Sequence, residues 1–241
     1  MGKVLRNYRL IRLATLAALV LGLVVGGPAY AVTQDVIWDL GCATQPLCQN
    51  TSYASPNTFT SLPPAPTYPL DAYGFNANNT AHNLFSKFTL GDPSETGLGL
   101  QQPPENEIGP GGQYIDLIVP KTSAPGFALT NIFHLVVSSV QNPEQFNIFR
   151  SNSGPGAGSV AGVPLFLNQT NTSPGCSNVT NICTYDIDMT GFTTLAIQGN
   201  IDDVLIETFT TQQISRTPEP ATLLLVGLGL FATGFARRRK V

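Results

Sequence analysis

Two histidines, one tryptophan and 11% charged residues in a chain of 241 leave little of the chemistry on which catalysis and nucleic-acid binding rest. A soluble domain averages about a quarter charged residues. The chain therefore lacks the charge for a coiled coil, for charge-driven disorder, or for the basic face that grips nucleic acid. Imidazole to activate a nucleophile could come only from His82, in an Asn-rich loop, or His134, in Phe133-His134-Leu135-Val136, the setting of a half-buried strand histidine. No Gly-x-Ser-x-Gly elbow is present, and the run Gly154-Pro155-Gly156-Ala157-Gly158 lacks the Lys-Ser/Thr that completes a phosphate loop. Carboxylate pairs such as Glu105 with Glu107 and Asp202 with Asp203 could serve glycoside hydrolysis on paper, but acids in turns are ordinarily just solvated. The expectation is a protein that is not an enzyme, with a secreted hydrolase a distant alternative.

What is present is concentrated first at the ends. Residues 1–12 carry four cations and no acid, and 13 uncharged residues from Leu13 to Val25 follow. A Gly26-Gly27-Pro28 break then leads into Ala29-Tyr30-Ala31, with small residues at −3 and −1 of a cut after Ala31. That is the three-part pattern of a secretory signal peptide over residues 1–31, to be removed by signal peptidase. The run is too short for a permanent span, which needs about 20 residues. At the other end, a linker from residue 213 reaches Pro218-Glu219-Pro220, then 16 uncharged residues, 221–236, then Arg237-Arg238-Arg239-Lys240-Val241. As a helix that stretch would be roughly 24 Å long at the usual rise per residue, a marginal single transmembrane span stopped by the four cations. The positive-inside rule keeps those cations cytoplasmic and the preceding chain outside.

These C-terminal residues resemble the PEP-CTERM sorting signal of Gram-negative bacteria: the Pro218-Glu219-Pro220 motif, the Gly227-Leu228-Gly229-Leu230 helix and the Arg-rich end. The resemblance implies recognition by an exosortase-type membrane protease-transferase, which cuts at or near the motif after transient inner-membrane anchoring. It also implies delivery to the cell surface or extracellular matrix. The flanking prolines agree with this physically, since they hold Glu219 in an extended segment that cannot join the helix.

Between the ends, residues 32–217 hold 14 acids against Lys87, Lys121, Arg150 and Arg216, a balance of −10. Such a surface repels nucleic acid. Cys42 with Cys48 and Cys176 with Cys183 form two close pairs, and an even count in an exported chain predicts disulfides. Three connectivities exist in principle; local pairing within each turn-rich loop is favoured. Neither spacing is that of zinc ligands. Calcium is the one cation with candidate ligands, the loop carboxylates Asp92, Glu95, Glu105 and Glu107 with Asn106, although no EF-hand loop is present and unliganded surface acids are the stronger reading. Five Asn-x-Ser/Thr sequons, at Asn50, Asn78, Asn168, Asn171 and Asn178, are no more than an Asn- and Thr-rich chain produces by chance.

The pattern of the body predicts an all-β, antiparallel, jelly-roll-like sandwich over residues 32–212. A short strand at Val36–Leu40 precedes a loop-rich stretch over 41–112. Strands then follow at 114–119, 132–140, 145–150, 163–167, 184–189, 192–198 and 204–209, punctuated by Gly, Pro and Asn. No amphipathic helix of three turns intervenes. Segments including Ala72-Tyr73-Gly74-Phe75, Leu84-Phe85-Ser86-Lys87, Glu95-Thr96-Gly97-Leu98-Gly99-Leu100 and Glu105-Asn106-Glu107-Ile108 are similar to a recurrent β-rich ectodomain of PEP-CTERM proteins, which supports the sandwich and implies no activity. The expected function is that of a non-enzymatic surface or matrix protein. The alternative is a module that binds extracellular polysaccharide through an aromatic platform, with Trp38, Tyr53, Tyr68, Tyr73 and Phe75 as candidates.

Overall fold

Alternation decides the sheet faces. Cys183, Tyr185, Ile187 and Met189 are buried, while Thr184, Asp186 and Asp188 between them are exposed. Side chains two apart on a strand share a face, so one side of such a segment must find an apolar partner. The computed structural model describes residues 33–42, 44, 49–63, 66–120, 127–201, 203–215 and 227. Residues 33–214 make one compact unit in which two antiparallel sheets supply that partner to each other.

The first sheet is built from β1 (Thr33–Asp39), β2 (Thr51–Tyr53), β6 (Leu84–Lys87), β7 (Gly97–Leu100), β9 (Phe127–Ser138), β12 (Cys176–Ser177), β13 (Ile182–Asp188) and β15 (Leu205–Ser215). Its order is β12-β13-β9-β15-β7-β6-β2, with β1 along β15 from Thr33 opposite Ile214 to Asp39 opposite Thr208. The second comprises β3 (Asn57–Thr60), β4 (Pro69–Phe75), β5 (Ala81–His82), β8 (Tyr114–Ile118), β10 (Gln145–Ser151), β11 (Val163–Gln169) and β14 (Thr194–Ile201). Its order is β11-β10-β14-β8-β4-β3, with β5 on β4. From β8 onward the chain passes repeatedly between the sheets, which is why their strands interleave in sequence. A 3-10 turn at Pro93–Glu95 and a one-turn helix α1 at Ala157–Val160 are the remaining named elements.

The core lies between the sheets. Phe209 of β15 stacks on Phe133 of β9, with ring centroids 4.8 Å apart, and meets Trp38 of β1 at 5.9 Å. Phe146 of β10 meets Tyr185 of β13 edge-on at 6.1 Å, joining the two sheets. Each such side chain contributes about 1.5–3 kcal/mol on burial. Polar ends are satisfied within the core: Trp38 Nε1 donates to the Tyr68 carbonyl at 2.8 Å, and the Tyr68 hydroxyl donates to Gln213 Oε1 at 3.0 Å.

The stretch over 41–112, expected to be loop-rich, contains six strands, β2 to β7, of two to seven residues. Most are short, and β4, the longest, carries apolar residues on both faces, so no long apolar alternation announces them. β15 continues to Ser215, beyond the expected boundary at 212. A disulfide joins Cys176 to Cys183, which face each other across the β12–β13 hairpin. Cys42 is buried and also disulfide-bonded, while Cys48 lies outside the described residues. The signal peptide with Ala29 and Ala31, the motif Pro218-Glu219-Pro220, the helix expected over 221–236 apart from Gly227, and the cations Arg237, Arg238, Arg239 and Lys240 lie outside them too. Among the described residues no helix is long and apolar enough to cross a membrane.

Candidate functional site

Three of the four acids singled out as calcium candidates do come together, and what they surround is a lysine. In β6, Leu84 and Ser86 face the core, which leaves Phe85 and Lys87 on the opposite face of the sheet. Lys87 pairs in register with Gly97 of β7, whose leucines 98 and 100 are the core residues. The glycines of β7 therefore present bare backbone on the face that Lys87 occupies. The segment from Glu105 to Ile108 descends onto that strip. A Cβ on Gly99 would stand 2.3 Å from the Asn106 carbonyl oxygen and 2.6 Å from Glu107 Cα. Asn106 makes the turn at a φ of 57°, a conformation that Asn tolerates better than most residues.

Glu107 is thereby placed beside the lysine. Its carboxylate, 3% exposed, accepts from Lys87 Nζ, as does Glu95 Oε2 at 2.5 Å; Glu105 Oε2 lies 3.9 Å from the same ammonium and is mostly in solvent. Glu95 is held in turn by Gln141 Nε2 at 2.9 Å and the Ser139 hydroxyl at 3.3 Å, both donating to its Oε1. Burial pushes the Glu107 carboxyl up to about 7 against the pull of Lys87. For Lys87 itself burial acts downward, and the hydrogen bonds and charges of Glu107 and Glu95 outweigh it to leave the ammonium above its ordinary value. Asp92 is not part of the cluster: it caps the 3-10 turn, accepting from the Ser94 amide at 3.1 Å and the Ser94 hydroxyl at 2.6 Å. Between these carboxylates the positive charge is that of Lys87. Among the described residues no group of three His, Cys, Asp or Glu is placed to hold a metal ion.

A second buried acid went unnoticed in the sequence. Asp116, in the middle of β8, is fully buried, and accepts from the Gly156 amide at 2.8 Å and the Ser159 hydroxyl at 2.6 Å. Burial pushes its carboxyl up to about 7, with those two bonds opposing. The glycine run 154–158 thus serves to bring a backbone amide and α1 down onto an interior carboxylate. An acid inside the apolar pentapeptide Tyr114-Ile115-Asp116-Leu117-Ile118 was the available signal. For Lys87 it was the scarcity of cations in the body.

The other candidates separate. His134 Nδ1 lies 2.9 Å from Asp186 Oδ1, its cross-strand partner, and both side chains are exposed on the outer face of the first sheet. His82 belongs to β5, where it contacts the Asn83 carbonyl at 3.2 Å. Glu105 and Glu107 share Lys87, and Asp202 lies outside the described residues. Of the five aromatics proposed for a platform, Trp38 and Tyr68 are core residues at 0% and 2% exposure, and no ligand can reach them. The amphipathic alternation that places Val36 and Trp38 inward also buries the indole. Tyr53 packs edge-on against Phe59 and Phe75 stacks on Tyr114; Tyr73 is partly exposed.

The model of the PEP-CTERM protein-sorting motif matches residues 216–240. No curated protein matches the chain. Among solved structures, the chain is similar to the K1 cleaved adhesin domain of Lys-gingipain from Porphyromonas gingivalis W83, at 14% identity and a TM-score of 0.24, over 80% of this chain and 95% of that one. The chain therefore carries a PEP-CTERM protein-sorting motif directly after β15.

Proposed function

We propose that this chain is a non-enzymatic surface or extracellular-matrix protein, exported by its N-terminal signal and delivered through exosortase-type processing of its C-terminus. The sorting motif at residues 216–240 is the observation that carries this reading. It begins one residue after the last strand of the body, so the protease would meet a short tether between a folded sandwich and the membrane. The transient anchor is the 221–236 stretch, with the four terminal cations held on the cytoplasmic side. The use to which the body puts its polar groups supports a structural role. Among its buried acids Glu107 is committed to a lysine, Asp116 to a loop and Asp39 to Thr44, and His134 stands with Asp186 in open solvent.

Intact-mass measurement of the surface form tests both ends. In cells with the sorting enzyme, the protein is expected to begin at Val32 and to lack residues 221–241. In cells without that enzyme it should keep them. A surface form that retains residues 221–241 while the enzyme is present would refute the processing.

A further inference from the structure

We infer that Lys87 and Glu107 become joined by a side-chain amide bond, formed with loss of one water and with Glu95 carrying the proton. The three groups are already assembled for it. Lys87 Nζ donates to both Glu107 Oε1 and Glu95 Oε2, so the nitrogen sits against one carboxyl while a second lies within proton-transfer reach. Both reacting residues are fixed from behind. Lys87 ends a strand paired with β7, and the Glu107 carbonyl accepts from Gln102 Nε2 at 2.9 Å and from the Leu100 amide at 3.4 Å. The next residue, Ile108, exchanges backbone hydrogen bonds with Val204 at 2.8 and 3.2 Å. Holding two reacting groups in this way raises the effective concentration of one about the other, on the order of 10⁵ M and above in well-oriented cases.

Burial lowers the cost of reaching the uncharged pair that can react, while the two carboxylates keep the resting lysine an ammonium. Glu107 is 3% exposed and Lys87 16%, so an ammonium–carboxylate pair is held where charge is poorly solvated. A proton moved from Nζ to carboxylate oxygen leaves a neutral amine facing a carboxylic acid, which is the electrophile that a carboxylate is not. Nζ then bonds to Cδ of Glu107. The Cδ–Oε bond breaks, and the oxygen leaves as water with the two protons given up by the nitrogen, relayed through Glu95. Ammonium plus carboxylate gives amide plus water, with no oxidant or activated donor required. The new amide N–H can still donate to Glu95, whose other oxygen is held by Gln141 and Ser139. Glu105, largely in solvent at 3.9 Å, takes no part.

The bond would tie β6, next to the edge of the first sheet, to the segment that crosses β7 and bridges to Val204. For a protein bound for the cell exterior, such a link fastens a weakly paired edge without a further cysteine pair.

The purified full chain, reduced to open its disulfides and digested with trypsin, gives the answer without any substitution. Expected is the loss of cleavage after Lys87 and a peptide that runs through it to Lys121, lighter than its sequence by one water, with fragment ions linking residues 87 and 107. A free peptide spanning residues 88–121 in stoichiometric yield would overturn the inference, and so would a link to Glu95 or Glu105. Lys87→Arg and Glu107→Ala should restore the full mass. Glu95→Gln, with its fold checked by circular dichroism, should slow appearance of the bond at least tenfold; formation at the wild-type rate would remove Glu95 from the step.

Discussion

Asp116 is the residue whose charge state the body has to negotiate. An ordinary carboxyl gives up its proton near pH 4, whereas burial among β8, α1 and the glycine run holds this one up to about 7. Between those values the folded protein keeps a proton that the unfolded chain has lost. Its contribution to stability is therefore complete below about pH 4 and disappears as pH rises through about 7. One such group gives a slope of up to about 1.4 kcal/mol per pH unit across that window. Glu207, raised by burial, acts in the same direction, as does Glu107 for as long as its carboxyl is free. Asp116→Asn keeps one acceptor for Gly156 or Ser159 and removes the proton, so its unfolding free energy should fall less steeply from pH 4 to 7 than that of the wild type. Urea titrations at several pH values measure the difference, and parallel pH dependences for the two proteins would show that Asp116 is ionised throughout.

Among the elements, β7 determines whether the Lys87 cluster exists. Its sequence, Gly97-Leu98-Gly99-Leu100, sends leucine to the core and leaves no side chain on the face that Glu105–Ile108 must approach. Gly99→Ala would drive a methyl group into the backbone of Asn106 and Glu107, which cannot rotate away. Overpacking of this kind costs about 1–3 kcal/mol or more. The variant should unfold at lower urea by that amount and, because Glu107 is displaced, should also regain tryptic cleavage after Lys87. Unchanged stability would mean that the crossing segment is loosely held. The same strip explains what the sequence disclosed and what it concealed. Strands with clear alternation, such as that of Tyr185, Ile187 and Met189, were legible because one face is buried and the other wet. β2, β3, β5, β6 and β7 were not, because glycine writes no alternation and a strand of two to four residues has too few positions to show any; β4 sends Leu70, Ala72 and Gly74 inward with Tyr73 and Phe75 on the other face, so its apolar residues do not mark the buried side. Glu95, Glu105 and Glu107 were visible as a group of acids. Their convergence on Lys87 depends on a register between β6 and β7 that no local pattern specifies.

For the molecule as a whole, β15 is the strand on which closure depends. It pairs with β9, with β7 at Ile206 and Leu98, and with β1 along seven residues, and it brings Phe209 between Trp38 and Phe133. The first and last strands of the body lie side by side, so the sheet cannot be completed until residue 215 is available. In an exported chain the sandwich would then close only after the whole body has crossed the membrane, with the sorting segment next in line. Trp38 is the single tryptophan and is fully buried against β15, which makes its emission a direct report of closure. A body ending at Thr217 should show blue-shifted emission and one cooperative urea transition. Phe209→Ala should keep the fold but lose about 3–5 kcal/mol, the usual cost of emptying a buried aromatic site. A body ending at Asp203 leaves β9, β7 and β1 with unpaired edges and should emit as exposed tryptophan and aggregate. Should that shorter chain retain buried Trp38 emission and a cooperative transition, the sandwich would close without its last strand, and export of the full body would not be the step that permits folding.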